Sequence, residues 1–208
     1  MQKSERIWRS PLTGGYWRSA AGEFASLRSL SVAALFIALH VVLGLVNIPV
    51  GESLRVKLVF IPDMICMLLC GPLVGIPAAA AADLLAFVVY PTGAFFPGYT
   101  LSCIVEFWIY GMFLYLRPVS VLRVFLSRAL VNLLSHVLLG SLWNAILMGK
   151  AFWYYAAKSV VKNLILLPFE TAVMCLLLGA LLPILTNLRL IPPQRRLFLF
   201  RAKEEKPE

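Results

Sequence analysis

Three observations predict an all-α polytopic membrane protein of six transmembrane helices with both termini in the cytoplasm. Of the 208 residues, 61% are hydrophobic and only 14% are charged, where an ordinary soluble domain carries roughly a quarter. The apolar residues gather into runs of about 20, the length needed to cross hydrocarbon, with proline and glycine between them. The charges are also lopsided, 19 Lys and Arg against 10 Asp and Glu for a net +9. In a soluble chain that balance would suggest a nucleic acid; among membrane spans it reports orientation, and no nucleic-acid partner is expected.

Residues 1–28 mix Ser, Gly and Trp with Lys3, Arg6, Arg9, Arg18 and Arg28. No apolar h-region precedes Leu30, so no cleavable signal peptide is expected here. Trp8, Tyr16 and Trp17 beside Arg9 and Arg18 read as an interfacial segment on the membrane surface. Leu30–Ile48 is the first span and Pro49 ends it. Leu58–Leu69 is a shorter second span, entered through Ile61-Pro62-Asp63 and closed by Gly71-Pro72. Leu73–Tyr90, rich in alanine, is the third, Tyr99–Leu116 the fourth, Val124–Met148 the fifth, and Asn163–Leu185, with Pro168 inside, the sixth. Interrupted helices of this kind are tolerated where they pack on neighbours or line a cavity. The expected organisation is an N-terminal cytoplasmic or interfacial segment (1–28), a six-helix membrane domain (29–187) and a basic cytoplasmic tail (188–208), polar and exposed, with no internal repeat.

The two tails and the turn between spans four and five, Arg123 and Arg128 included, hold 14 of the 19 basic residues. The positive-inside rule therefore puts them in the cytoplasm. Arg55, Lys57, Lys150, Lys158 and Lys162 are left outside, flanking the connector between spans three and four. They are read either as lysines snorkelling at a membrane edge or as a cationic rim that draws in an anion.

That connector runs Pro91-Thr92-Gly93-Ala94-Phe95-Phe96-Pro97-Gly98-Tyr99-Thr100-Leu101-Ser102. Pro and Gly exclude a regular helix, and aromatic rings between membrane helices offer faces to a flat molecule. Aromatic faces beside a cationic rim suit an aromatic acid. Cys66, Cys70, Cys103 and Cys175 lie in or beside apolar runs and read as small buried side chains, with neither a disulfide nor a metal site. Asp63, Asp83, Glu106 and Glu170 are costly at membrane depth. Asp83 and Glu170 are candidates for substrate or proton binding, or for structural pairing with Asn132, Lys162 or helix N-termini. His40 and His136 read as interior hydrogen-bonding residues.

Phe95-Phe96-Pro97-Gly98-Tyr99-Thr100-Leu101-Ser102 resembles the Phe-x-Pro-Gly-aromatic-Thr-Leu-Ser signature of folate-specific S components of energy-coupling factor (ECF) transporters. Leu58-Val59-Phe60-Ile61-Pro62 with Gly71-Pro72-Leu73-Val74-Gly75, Asp83-Leu84 before Pro91-Thr92-Gly93, and Ser141-Leu142-Trp143 with Gly149-Lys150-Ala151-Phe152 are similar to further stretches of that family. The likeness spans about residues 25–185. It implies an S-component-like bundle in a bacterial cell membrane that captures folate from outside. It also implies a transmembrane coupling subunit and two ATPases as partners, with no catalysis and no cofactor in this chain. Ala34 and Ala38 resemble the family's Ala-xxx-Ala contact with the coupling subunit; two alanines a turn apart let a second helix approach closely in lipid.

A folate needs stacking faces, a few polar partners and cations for two carboxylates. Phe96, Tyr99 and Trp143 are the candidate faces, and Thr100, Ser102 and Asn144 the candidate polar contacts. Pro97 and Gly98 are expected to shape the loop. Arg55, Lys57 and Lys158 are the candidate carboxylate partners. The family resemblance implies an arginine just before the sixth span, where this chain has Lys158 and Lys162; lysine keeps the charge without the planar fork. The competing readings are an S component for a different vitamin, a proton-coupled secondary carrier using Asp83, and an intramembrane enzyme. No Walker-type loop or nucleophile–base pair appears in the sequence.

Overall fold

The computed structural model describes residues 8–49, 55–91, 95–149, 151–194 and 197–199. Lys3, Arg6, Thr92, Gly93, Ala94, Lys150, Arg195, Arg196 and the tail from 200 lie outside the described residues, and Arg55 and Lys57 are described by backbone alone. Eleven elements follow in order: α1 (Gly14–Gly22), a 3-10 turn (Glu23–Ala25), α2 (Leu27–Leu45), β1 (Asn47–Pro49), β2 (Arg55–Lys57), α3 (Phe60–Val89), α4 (Pro97–Leu114), α5 (Val121–Val131), a π-helical stretch (Asn132–Leu139), α6 (Gly140–Met148) and α7 (Phe152–Asn187). The chain from Val121 to Met148 is one continuous helix.

Among the described residues four helices are long and apolar enough to cross a membrane: Leu27–Leu45, Phe60–Val89, Val121–Met148 and Phe152–Asn187. α2 starts where Ser26 accepts the Ser29 N–H at 3.3 Å, a side-chain cap that satisfies an orphan donor of the first turn. Ser120 does the same for Arg123, also at 3.3 Å. α4 opens with Pro97 at its first position, where the missing N–H would have gone unbonded anyway.

α3 spans the predicted second and third segments but is not one rod. Gly71 has φ 79° and ψ 172°, a conformation open to glycine and closed to helix. The Met67 sulfur also lies where a Cβ on Gly75 would be. Eight residues apart on a straight helix are about 12 Å apart along the axis, so the limbs Phe60–Cys70 and Pro72–Val89 fold back on each other. Gly111 of α4 seats against Pro72, where a Cβ would come within 2.7 Å of the Pro72 Cα. The core lies here, with Met64, Met67, Ala79, Ala82, Phe107 and Tyr110 among its buried members.

Four expectations need correction. The all-α reading has an exception in β1 and β2, which pair antiparallel with Ile48 opposite Val56. The sixth helix starts at Phe152 rather than Asn163, because Lys158 and Lys162 ride on an exposed helical face instead of a connector. Arg128, counted with the turn between spans four and five, is buried inside the bundle. The tail, read as exposed, packs back after α7: Ile191 and Gln194 are buried, and the Gln194 amide accepts from the Val119 N–H at 2.8 Å and donates to the Val119 carbonyl at 2.6 Å.

The N-terminal segment is also docked. Tyr16 and Ala20 of α1 are fully buried against Tyr115 and Leu116. The Tyr16 hydroxyl donates to the Gly111 carbonyl at 2.9 Å, and burial pushes its pKa up, so it remains a donor at any ordinary pH. Glu23 accepts from Ser29 and from the Tyr115 hydroxyl, the latter at 2.9 Å. These contacts brace the end of the bundle where α3 reverses.

Candidate functional site

The aromatic string lies at the other end, on the first turn of α4. Phe96 precedes the helix in extended conformation (φ −132°, ψ 117°). That turns its ring back over the helix start. Its ring packs edge-on against Tyr99 at 5.9 Å and against Trp143 of α6 at 5.5 Å. Gly98 is buried beneath both rings. A Cβ there would lie 2.7 Å from Trp143 Cδ2 and would clash with the Cδ1–Cε1 edge of the Phe96 ring, so glycine is required by close approach of aromatic groups rather than by backbone angle. Phe95 contacts Phe87 of α3 at 5.3 Å.

Residues two apart on a helix point about 200° apart, and the string uses both directions. The Ser102 hydroxyl faces α6, accepting from Trp143 Nε1 at 2.9 Å and donating to the Gly98 carbonyl at 3.2 Å. The Ser135 hydroxyl donates to the Ser102 carbonyl at 3.2 Å. Thr100 faces α3 and donates to Asp83 Oδ2 at 2.6 Å. The indole plane is thus pinned through its N–H, and the string is braced on both sides.

Phe96, Gly98, Tyr99, Ser102 and Trp143 therefore form one cluster, with Thr100 tied beside it. Pro97 starts the helix and is exposed. Asn144 turns its amide into its own helix, donating to the Gly140 carbonyl at 2.7 Å. Lys158 is exposed on α7, and no described contact joins it to the cluster. The backbone of Arg55 and Lys57 lies in β2.

A polar network that sequence reasoning missed lies deeper. Arg128 grips Glu170 with both ends of its guanidinium, Nε to Oε2 and Nη2 to Oε1, each at 2.8 Å. Its Nη1 donates to the Tyr110 hydroxyl at 2.6 Å and to Glu106 at 3.3 Å. The guanidinium also lies 4.8 Å from the Phe60 ring centre. Asn132 donates to Glu170 Oε2 at 3.4 Å, which matches one of the structural pairings expected for Glu170. His40 meets Asp63 at 2.6 Å between α2 and α3. Glu106 stands nine residues into α4, about 14 Å along the axis from Pro97 and about 6 Å beyond Ser102. The signal was present in the sequence: two carboxylates in apolar spans call for a cation, and Arg128 sits well inside a continuous helix.

A small crevice at the opposite end of α4, lined by Trp8, Leu68, Leu114 and Ile191, lies about 18 Å along the helix axis from Ser102, the end of the string.

Comparison with known proteins gives a consistent result. A family model described as "ECF transporter, substrate-specific component" matches residues 28–182. A Clostridium novyi protein named folate transporter FolT is 36% identical over 120 residues, covering 58% of this chain and 70% of that protein. A Leuconostoc mesenteroides protein of the same name is 28% identical over 159 residues, covering 73% and 85%. Among solved structures, one titled "Crystal structure of FolT bound with folic acid" superposes with a TM-score of 0.64 at 25% identity, covering 72% of this chain and 91% of that one.

Proposed function

The chain belongs to the substrate-specific components of ECF transporters, and from that premise we propose that it captures a folate at the string end of its bundle. The observation that carries this reading is the likeness to proteins named as folate transporters, one of them solved with folic acid. The geometry supports it: the Phe96 and Trp143 rings meet over Gly98 with Tyr99 packed on Phe96, the indole is held in place by Ser102, and Lys158 and Lys162 stand exposed on the neighbouring α7. In this reading Phe96, Tyr99 and Trp143 supply faces for the pterin and benzoyl rings. Lys158, with Arg55 and Lys57 of the β hairpin, meets the glutamate carboxylates.

The topology in this reading is six passages: α2, the two limbs of α3, α4, Val121–Met148 and α7. An even number returns both termini to one side, and the arginines at the Gly71 end assign that side to the cytoplasm. The string then faces outward in a bacterial cell membrane. α2 presents Ala34 and Ala38 on its exposed face beside Leu35. This strip suits a transmembrane coupling subunit that needs close helix approach. ATP is hydrolysed by two partner ATPases, and this chain performs no catalysis.

Uptake of labelled folic acid by cells producing this chain with and without a coupling subunit and its ATPases tests the transport step. Uptake that needs all partners and ATP supports the reading. Uptake by this chain alone that collapses with the proton gradient favours a secondary carrier instead.

A further inference from the structure

This inference rests on the folate reading and concerns a residue that reading leaves unused. Four carboxylates stand in helices α2–α7: Asp63, Asp83, Glu106 and Glu170. Asp63 is met by His40, and Glu106 and Glu170 by Arg128. Among the described residues Asp83 has no cationic partner; its one described donor is the neutral Thr100 hydroxyl, on Oδ2. Asp83 is half-buried with a neutral donor, whereas the other three carboxylates of the bundle are met by His40 or Arg128, the usual way a charge at membrane depth is accommodated.

The position of Asp83 is informative. Thr100 is next to Tyr99 in the string, so the hydrogen bond fixes the carboxylate at the level of the first turn of α4, on the side of that helix that faces α3. Each carboxylate oxygen has two lone pairs. With one of the four taken by Thr100, Oδ1 and the second lone pair of Oδ2 still present a two-pronged acceptor.

We propose that Asp83 is the specificity-determining contact for the ring end of the ligand, its carboxylate accepting the 2-amino N–H and the N3–H of a 2-amino-4-oxo pteridine. These two donors are parallel and adjacent, as a carboxylate requires for bidentate pairing. No proton is transferred. A 2-oxo ring, as in a flavin, sets a carbonyl against the carboxylate, lone pair to lone pair, and is rejected. The charge of Asp83 also sets the ligand's direction: its own carboxylates turn away from Asp83 and toward the lysines of α7.

The test is calorimetric titration of the detergent-purified full chain with folic acid and with its analogue carrying a 2-oxo group in place of the 2-amino group. The expected preference of the wild type for folic acid is at least about tenfold, the loss that follows when one hydrogen bond to a charged acceptor is removed. Asp83→Asn brings that preference to within about threefold, because its amide N–H can serve the 2-oxo group. The preference is a ratio within one sample and does not depend on the fraction folded. If Asp83→Asn cannot be purified, Thr100→Val decides: releasing the carboxylate lowers the ratio at least threefold. A wild type that binds both ligands equally, or a ratio unchanged in the decisive variant, overturns the role of Asp83 alone. A wild type that binds neither ligand overturns the folate reading and this one with it.

Discussion

A methyl group on Gly98 would occupy space already held by the Phe96 and Trp143 rings. Alanine is the better helix former by about 1 kcal/mol, but two rigid rings would have to part, and overpacking of that kind costs about 1–3 kcal/mol. The overlap wins. Gly98→Ala is expected to weaken folic acid binding about tenfold or more in a fluorescence titration while the chain still folds; unchanged affinity would show that the ring cluster is not the site. Arg128 poses the opposite problem, a charge that is safe only while paired. Arg128→Met leaves Glu170 and Glu106 buried without their cation, a loss of about 3–5 kcal/mol. It should lower the detergent-solubilised melting temperature sharply. Adding Glu170→Met should recover part of that loss, since it removes one of the two stranded charges.

Breaks between helices were legible at the scale of elements because proline and glycine set them locally, although the start of α7 was not. Pro97 in the string marks the opening of α4, and Gly71-Pro72 marks the reversal within α3. What the sequence hid was non-local. Arg128 was assigned to the nearest turn by charge counting, whereas its partners come from Glu106 and Glu170, 22 and 42 residues away. The tail was read as exposed from its polarity, but Gln194 fills the backbone groups of Val119, 75 residues earlier. The candidate site was legible in its aromatic members, which lie in or near one string. Its supporting bonds, Ser102 to Trp143 and Thr100 to Asp83, cross between helices and leave no pattern in spacing. α1 offers a test at this scale. Removing residues 1–25 deletes the Tyr16–Gly111 and Glu23–Tyr115 contacts at the far end of the bundle. Thermal stability should fall while folic acid affinity changes less than about twofold; a large affinity loss would mean that the far end governs the string.

For the whole molecule, the proposed reading divides the work between two surfaces. One is the ring cluster at the string end; the other is the exposed strip of α2 carrying Ala34 and Ala38. They are separable. Ala34→Leu with Ala38→Leu places bulk where a partner helix must approach closely. Folic acid binding by the isolated chain should persist, while ATP-driven uptake with the partner subunits falls at least about tenfold; intact uptake would move the partner contact elsewhere. The central claim, that this chain is a folate-capturing subunit, is tested most directly by titrating the purified protein with folic acid, riboflavin, thiamine and biotin while following tryptophan fluorescence. Saturable quenching by folic acid alone, reduced in Trp143→Phe, is the predicted result. Tight binding of riboflavin, thiamine or biotin without binding of folic acid would contradict it.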